Sequence, residues 1–273
     1  MKLIDFHTHI FPDAVAPKAI EALVNRSHLT PRSDGTLQGL LKTMAAEGVD
    51  TSVIVPVITK ASQYESINRF AVKLNLEHKE DGKLISFGAV YPDDPDMEAH
   101  LINIRDMGLK GIKIHPYYHN MPVNDIRIKR VMDKASELGL IMVCHAGADP
   151  GFPGIDFCNV GMILDVLKDV KPVNLVLAHM GASRLWTDVE KYLCGADVYF
   201  DTANVAGVIG TDQCARIISK HGAEKILFAT DCPWNGAKQT REVIDACGLA
   251  EEDLNKIYHA NAEKLLGRAE TMS

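Results

Sequence analysis

The chain has 273 residues, of which 47% are hydrophobic, so it can bury a large core in one domain or two. Its formal net charge of −7 argues against nucleic acid or an anionic membrane surface as a partner, because both select an excess of Lys and Arg. No stretch reaches the ~20 apolar residues of a membrane helix, and the start shows no signal-peptide core. We therefore expect a cytoplasmic protein.

The six cysteines are scattered without CxxC spacing, at positions Cys144, Cys158, Cys194, Cys214, Cys232 and Cys247. This scatter favours reduced thiols over a disulfide framework. Cys144 and Cys232 stand beside residues of interest, and we expect both to fill the core as small apolar side chains.

The first predicted strand runs from Leu3 to His9 and is followed by a helical insertion. A helix over Pro12–Val24, a polar segment over Asn25–Gly35 and a helix over Thr36–Glu47 make up the insertion, and Gly48 ends it. Strands and helices then alternate regularly. The further strands are predicted at Thr51–Val57, Ile85–Val90, Gly111–His115, Leu140–His145, Asn174–His179, Val198–Thr202 and Ile226–Asp231. The further helices are predicted at 62–79, 94–107, 125–138, 160–170, from 187 onward, and at 211–220, 238–246 and 251–266.

Eight strand–helix units predict a (β/α)8 TIM barrel that forms a single domain over residues 1–273. The strands are nearly continuous apolar runs, as expected where both faces of a parallel sheet are buried. A doubly wound sheet is the competing architecture. It would be favoured by a glycine-rich phosphate-binding turn, and neither GxGxxG nor GxxxxGK[ST] occurs.

Two histidines one residue apart end the first strand. Side chains alternate along a strand, so His7 and His9 should project from one face, with Asp5 below them. Two neutral imidazoles on one rigid edge are half of a metal site. The alternative is a pair of histidines that are hydrogen-bonded to nearby carbonyl groups.

Further polar side chains recur at predicted strand ends. His115 ends strand four, His145 strand five, His179 strand six and Asp231 strand eight. The active site of such a barrel lies at the carboxyl ends of its strands, so this set predicts a functional site there. The other six histidines are expected at the surface: His28, His78, His100, His119, His221 and His259.

These residues together resemble the amidohydrolase superfamily. The similarity rests on the HTH of strand one, on GIKIHP around His115, on His145, on AHMGA around His179 and on ATDCPW around Asp231. Within the superfamily the chain is most similar to the amidohydrolase-2 branch, which includes the aminocarboxymuconate semialdehyde decarboxylase-like enzymes. The similarity extends over the whole chain.

The resemblance implies a divalent metal ion, which we expect to be Zn²⁺, bound by His7, His9, His145 and Asp231. Asp231 would also act as a base toward a bound water, and His179 would orient substrate or move a proton. Many superfamily members carry a carbamylated lysine at the end of strand four, where this chain has His115 and, two residues earlier, Lys113. One metal is therefore expected, although His115 leaves room for a second.

The sequence gives fewer indications of the substrate than of the metal site. His115 or Lys113 could bind an anionic or carbonyl group, but Lys113 could equally be a buried ion-pair partner. Arg184 is the best candidate for a carboxylate clamp because its planar guanidinium binds two oxygens at once, with a rim salt bridge as the alternative.

The leading hypothesis is a metal-dependent hydrolase that acts on an amide, ester or lactone-type bond of a small acidic molecule. The alternative is a non-oxidative decarboxylase of an aromatic or unsaturated acid. The short chain, without obvious segments for a deep dimeric pocket, favours hydrolysis slightly. A third hypothesis is a non-catalytic barrel with a vestigial site. The sequence leaves open whether the chain forms a homodimer.

Overall fold

Eight short strands whose residues are all buried alternate with helices along the chain. The computed structural model describes residues 1–267. The strands are β1 (Ile4–Thr8), β2 (Thr51–Ile54), β3 (Leu84–Ser86), β4 (Gly111–Ile114), β5 (Ile141–Cys144), β6 (Leu175–Leu177), β7 (Tyr199–Asp201) and β8 (Ile226–Leu227). Burial on both faces accounts for their continuous apolar character.

Two helices, α1 (Ala16–Ser27) and α2 (Leu37–Glu47), lie between β1 and β2, and Gly48 ends α2 in a left-handed conformation. The helix that the sequence predicts from Pro12 begins at Ala16, because a turn precedes it. The Pro12 carbonyl accepts hydrogen bonds in this turn. The remaining α-helices are α3 (Tyr64–Glu77), α4 (Met97–Asp106), α5 (Pro116–His119), α6 (Ile126–Glu137), α7 (Val160–Asp169), α8 (Trp186–Asp188), α9 (Thr211–His221), α10 (Ala237–Asp245), α11 (Glu251–Asn255) and α12 (Asn261–Leu265). Two π-helical segments, Val189–Leu193 and Lys256–Ala260, continue α8 and join α11 to α12.

The strands close into a ring. All neighbours pair in parallel within two sheets, β1-β2-β3 and β4 to β8. Bridges between Gly88 and Ile112 and between Thr8 and Cys232 join the sheets on both sides. The structure therefore confirms the TIM barrel and excludes the doubly wound sheet.

The core has two layers. Phe6, Val143 and Leu227 belong to an apolar cluster of strand side chains inside the ring. A larger cluster, which includes Cys144 and Phe200, packs the strands against the helices. Cys144 and Cys232 are buried, unoxidised thiols, as predicted. No helix within residues 1–267 is long and apolar enough to cross a membrane.

The strands end earlier than predicted, so that His115, His145, His179 and Asp231 stand just beyond them. Two of these residues turn the backbone sharply, with φ of 62° at His179 and 68° at Asp231. Left-handed backbone is uncommon for residues other than glycine, and it often occurs at functional sites. The carboxyl edge of the barrel is therefore shaped by the candidate residues themselves.

Asp5 does not share a face with His7 and His9, so that prediction is wrong. The pairing register of β1 shifts between Asp5 and Thr8, and such an irregularity breaks the alternation of side chains. Asp5 accepts hydrogen bonds from the backbone and hydroxyl of Thr230, and it lines a small cavity with Leu40 and Met44 of α2.

Two histidines expected at the surface, His119 and His221, are buried, so their surface assignment is wrong. The ring of His221 stacks on Phe200 with centroids 3.7 Å apart. Its Nδ1 accepts from the Gly195 amide at 3.1 Å, and its Nε2 donates to the Val198 carbonyl at 3.0 Å. His221 therefore packs at the carboxyl end of α9 as a neutral ring.

His221 predicts loss of stability in acid. Burial lowers the pKa of His221 to about 4, whereas an unfolded histidine titrates near ~6.5. Between these values only the unfolded state binds the proton, so the free energy of unfolding falls as pH drops. By pH 5 the loss should be on the order of 2 kcal/mol relative to pH 8.

Urea unfolding of the wild type and of His221→Gln at both pH values measures this contribution. The variant should be less stable at pH 8 and should lose about 2 kcal/mol less on acidification. An equal loss in both proteins would contradict the assignment.

Candidate active site

The carboxyl edge of the barrel brings His7, His9 and Asp231 together. Nε2 of His7 lies 3.2 Å from Nε2 of His9. Oδ1 of Asp231 lies 3.2 Å from Nε2 of His9 and 3.5 Å from Nε2 of His7. These three groups, which lie in or just beyond the first and last strands, form a compact donor cluster, called here the first cluster.

Asp201 fixes the orientation of His7. Oδ2 of Asp201, at the end of β7, accepts a hydrogen bond from Nδ1 of His7 at 2.8 Å. A neutral imidazole that donates through Nδ1 carries its lone pair on Nε2. His7 therefore presents a lone pair to the first cluster.

Lys113 also points into the first cluster. Its side chain is 1% exposed, and its Nζ donates to Nε2 of His7 at 2.8 Å. Burial lowers the pKa of Lys113, against the opposing influence of Asp201 and Asp231. The lysine thus lies buried beside the donor atoms, and any metal ion bound there must displace its hydrogen bond to His7.

His179 is held firmly between the strands. Its backbone amide donates to Oδ1 of Asp201 at 2.9 Å, and its carbonyl accepts from Nε1 of Trp186 at 3.0 Å. Nδ1 faces the Ala203 carbonyl at 2.9 Å and must donate to it. Nε2 lies 3.0 Å from Nδ1 of His145. Contacts at both ring nitrogens and at the backbone therefore fix the position and orientation of His179.

The family resemblance implied that His145 lies with His7, His9 and Asp231, but the structure places it with other donors. It joins His115 and Asp149, called here the second cluster, and not the first cluster. The rings of His115 and His145 stack with centroids 4.4 Å apart. His179 lies between the two clusters, with ring centroids 5.6 Å from His7 and 4.8 Å from His145.

Arg184 is exposed in the loop after β6. Within residues 1–267 it makes no ion pair, so the alternative of a rim salt bridge finds no partner there. The neighbouring Ser183 is hydrogen-bonded to Ala146 and Ala148, so Arg184 stands beside the loop that follows His145. Its role as a carboxylate clamp stays a prediction.

Burial sets the charge of the site. It lowers the pKa values of His7, His115 and His145 well below the usual range, and nearby cationic groups lower them further, so these rings are neutral. Burial alone would raise the pKa of Asp231, but the hydrogen bond from His9 and the neighbouring imidazoles outweigh it. Asp231 is therefore an ionised carboxylate beside the neutral ring of His7.

Two site residues were missed from the sequence. Asp201 is the penultimate residue of predicted strand seven, and a carboxylate near the end of an apolar run was a signal that could have identified it. Asp149 lies in the loop four residues after His145, where periodicity carries no information.

Comparison with known proteins identifies the family. The family model Amidohydro_2, described as amidohydrolase, matches residues 4–268. The chain belongs to this family of metal-dependent enzymes. The resemblance stated from the sequence is therefore confirmed. No curated protein is significantly similar to the chain.

Solved structures share the fold over nearly the whole chain. An uncharacterised TIM-barrel protein from Bordetella bronchiseptica superimposes with a TM-score of 0.79 at 18% identity, covering 98% of this chain and 99% of its own. The 2,6-dihydroxybenzoate decarboxylase from Rhizobium gives 0.71 at 16% identity, covering 99% and 100%. A Pseudomonas putida protein proposed to be a 2-pyrone-4,6-dicarboxylic acid hydrolase gives 0.70 at 15%, covering 98% of each. The similar structures include further decarboxylases, one with bound manganese.

The donor atoms fit the metal that the family implies. His7 directs a lone pair to the first cluster, and Asp231 supplies an ionised oxygen beside it. Two imidazoles and a carboxylate are a frequent ligand set for catalytic divalent ions, which keep a position open.

Asp201 should control metal affinity through His7. In Asp201→Asn the side chain no longer requires a hydrogen on Nδ1 of His7, so the lone pair is no longer held on Nε2. We expect the affinity for Zn²⁺ to fall roughly 10–100-fold, as when such supporting carboxylates are lost. Competition with a chromogenic chelator measures it.

Asp197→Asn is the matched control, because Asp197 also belongs to the β7 region but forms only an exposed pair with Lys225. It should bind Zn²⁺ like the wild type. Unchanged affinity in Asp201→Asn would show that Asp201 does not orient His7 for a metal.

Proposed function

We propose that the protein is a metal-dependent, non-oxidative decarboxylase of an aromatic or unsaturated carboxylic acid. The sequence favoured hydrolysis and kept this reaction as the alternative. The structure and the comparisons now support the alternative better, for the reasons given below.

The observation that carries the proposal is the burial of the site around the Lys113 amine. Lys113 and His7 are each 1% exposed, and His145, His179 and Asp231 are also buried. A carboxylate that enters such a site loses the water that stabilises its charge. Loss of CO₂ transfers that charge to carbon, and Lys113, when protonated, would stabilise it there. Hydrolysis, in contrast, requires water in the same space.

Aromatic rings border the second cluster, which suits a flat conjugated substrate. Tyr118 contacts His115 edge-on with centroids 4.7 Å apart, and Tyr117 contacts His145 at 5.4 Å. Phe152 packs against both tyrosines. Conjugation in the substrate delocalises the electron pair that decarboxylation leaves on carbon, so an aromatic or unsaturated acid satisfies both requirements.

The metal would be held by His7, His9 and Asp231, with His145 as the fourth ligand that the family pattern implies. When bound, the ion would polarise an oxygen of the substrate as a Lewis acid. In this proposal the metal-ligand roles of His7, His9 and Asp231 rest on the donor geometry and on the family, and that of His145 rests on the family pattern.

His179 would supply the proton. The bond between the carboxyl carbon and the substrate carbon breaks, CO₂ leaves, and the electron pair stays on the substrate carbon, where a proton replaces the carboxyl group. Nδ1 of His179 is committed to the Ala203 carbonyl, so the acid form of His179 would carry its second proton on Nε2, the nitrogen that faces the clusters, and would give that proton to the substrate carbon and keep the one on Nδ1.

The short chain no longer weighs against decarboxylation. The superposition covers 100% of the Rhizobium decarboxylase and 99% of this chain, so that enzyme has no separate domain that this chain lacks. At 16% identity this similarity shows the fold, and the choice of reaction depends on the chemistry of the site.

Hydrolysis is the second candidate, and one observation favours it. Asp231 is an ionised carboxylate 3.2 Å from Nε2 of His9, where it could accept a proton from a water molecule. The vestigial barrel is disfavoured by the complete donor set and by membership in an enzyme family.

The mass of the product distinguishes the reactions. Metal-loaded protein incubated in D₂O with a panel of aromatic and unsaturated acids should release a product that lacks CO₂ and carries one deuterium on carbon. Lactones, amides and esters should remain intact. A product heavier by one water would instead establish hydrolysis and overturn the proposal.

His179→Asn tests the source of the proton. Its kcat for decarboxylation should fall roughly 10²–10⁴-fold, because a positioned acid is lost. His259→Asn is the control, since His259 pairs with Glu263 on the terminal helices away from the strand ends, and its kcat should be unchanged. Equal rates in His179→Asn and the wild type would exclude this role.

A further inference from the structure

Two cysteines that are distant in the sequence meet where α9 packs beside α10. Cys214 lies in the first turn of α9, and Cys247 follows the carboxyl end of α10. Their thiols are hydrogen-bonded to each other. No CxxC motif relates the two positions, so the pair is a product of the tertiary structure, and the proposed reaction does not use it.

Two backbone carbonyl groups hold the sulfur of Cys247 against α9. Its Sγ lies 3.3 Å from the carbonyl oxygen of Val243, in the last turn of α10, and 3.8 Å from that of Thr211, the first residue of α9. Carbonyl groups point along a helix toward its carboxyl end, so the Thr211 oxygen faces the turn that ends at Cys214. The sulfur of Cys247 is therefore fixed beside Cys214.

The two thiols differ in exposure and in acidity. Cys214 is fully buried, whereas Cys247 is partly exposed. The hydrogen bond between them lowers the pKa of Cys247 and raises that of Cys214, and burial raises the latter further. Peroxides react with thiolates, and with accessible ones first. An oxidant therefore meets Cys247 first, and Cys214 lies in position to react with the product.

The other cysteines, all of which lie within residues 1–267, do not combine these properties. Cys194 is also partly exposed, but burial raises its pKa to about 11 and no second thiol contacts it. Cys144 and Cys158 contact each other, but both are fully buried, and Cys232 is buried as well. An exposed, acidified thiol with a second thiol in contact occurs at Cys247.

We propose that Cys214 and Cys247 form a redox-active thiol pair, a modification site that hydrogen peroxide or another hydroperoxide converts into a disulfide. The pair is separate from the first and second clusters, and it depends on no particular reaction at the barrel edge. Its two states would be the dithiol, which the structure shows, and a disulfide that links α9 to the end of α10.

The oxidation has two steps. The sulfur of Cys247 attacks hydrogen peroxide, the O–O bond breaks, one oxygen stays on sulfur as a sulfenic acid and the other leaves as water. The sulfur of Cys214 then attacks the sulfur of Cys247. The S–O bond breaks, the S–S bond forms, and the hydroxyl group leaves as water with the proton of Cys214. The two thiols lose two electrons, which reduce one peroxide to two waters.

Intact-mass measurement of the folded wild type after treatment with equimolar hydrogen peroxide tests the proposal. The protein should lose two hydrogens, and peptide mapping without reductant should find a link between Cys214 and Cys247. Dithiothreitol should restore the original mass, because disulfides are reduced reversibly. Cys144 and Cys158 should stay reduced, since the oxidant does not reach them.

Single variants assign the order of the two steps. Cys247→Ser should form no disulfide. Cys214→Ala should stop at the sulfenic acid of Cys247, which dimedone labels. Cys194→Ser is the matched control, because Cys194 is also partly exposed but lies outside the pair, and it should form the disulfide as the wild type does. Near-UV circular dichroism before oxidation verifies that each variant is folded.

Three results would overturn the proposal. They are a wild type that keeps both hydrogens, a link between other cysteines in place of Cys214 and Cys247, and a Cys214→Ala variant that dimedone does not label. None of them affects the proposed decarboxylase, because that proposal is tested by metal binding and by product mass at a site that contains neither cysteine.

Discussion

The hydrogen bond between Asp201 and Nδ1 of His7 is the interaction on which the rest of the site depends. It connects the end of β7 to the end of β1 and holds the lone pair of His7 toward the centre. The other oxygen of Asp201 accepts the backbone amides of His179 and Ala203. One buried carboxylate therefore positions both a metal-ligand candidate and the candidate proton donor.

A second chain of hydrogen bonds extends this order across the site. The Ala203 carbonyl, His179 and His145 are connected by hydrogen bonds at 2.9 Å and 3.0 Å. These contacts fix the orientation of both rings. Lys113 and Asp231 provide the charge, and burial strengthens their influence because little water screens them.

Left-handed backbone at His179 and Asp231 shows how the edge of the barrel is shaped for these contacts. Gly147 has a related role after His145. It approaches Ser183 so closely that a Cβ atom would lie 2.1 Å from the Ser183 amide nitrogen, and its own φ is 84°. Only glycine allows the loops after β5 and β6 to meet there, beside the aromatic side chains Tyr117, Tyr118 and Phe152.

The sequence by itself determined the barrel, because eight apolar runs alternate with helical segments, and it located the site through the polar residues after those runs. The family followed from the same residues. Three features were decided only by the tertiary structure. The irregular register of β1 separates Asp5 from His7, whereas alternation predicts one face. Asp201 stands at the end of β7 and Asp149 in the loop after β5. The periodicity of the sequence does not show that these two segments bring their carboxylates to the site. His145 lies with His115 and Asp149 because ring stacking and a hydrogen bond between residues that follow the neighbouring strands β4, β5 and β6 orient it. Such orientations depend on partners that are remote in the chain, and these meet only when the barrel closes.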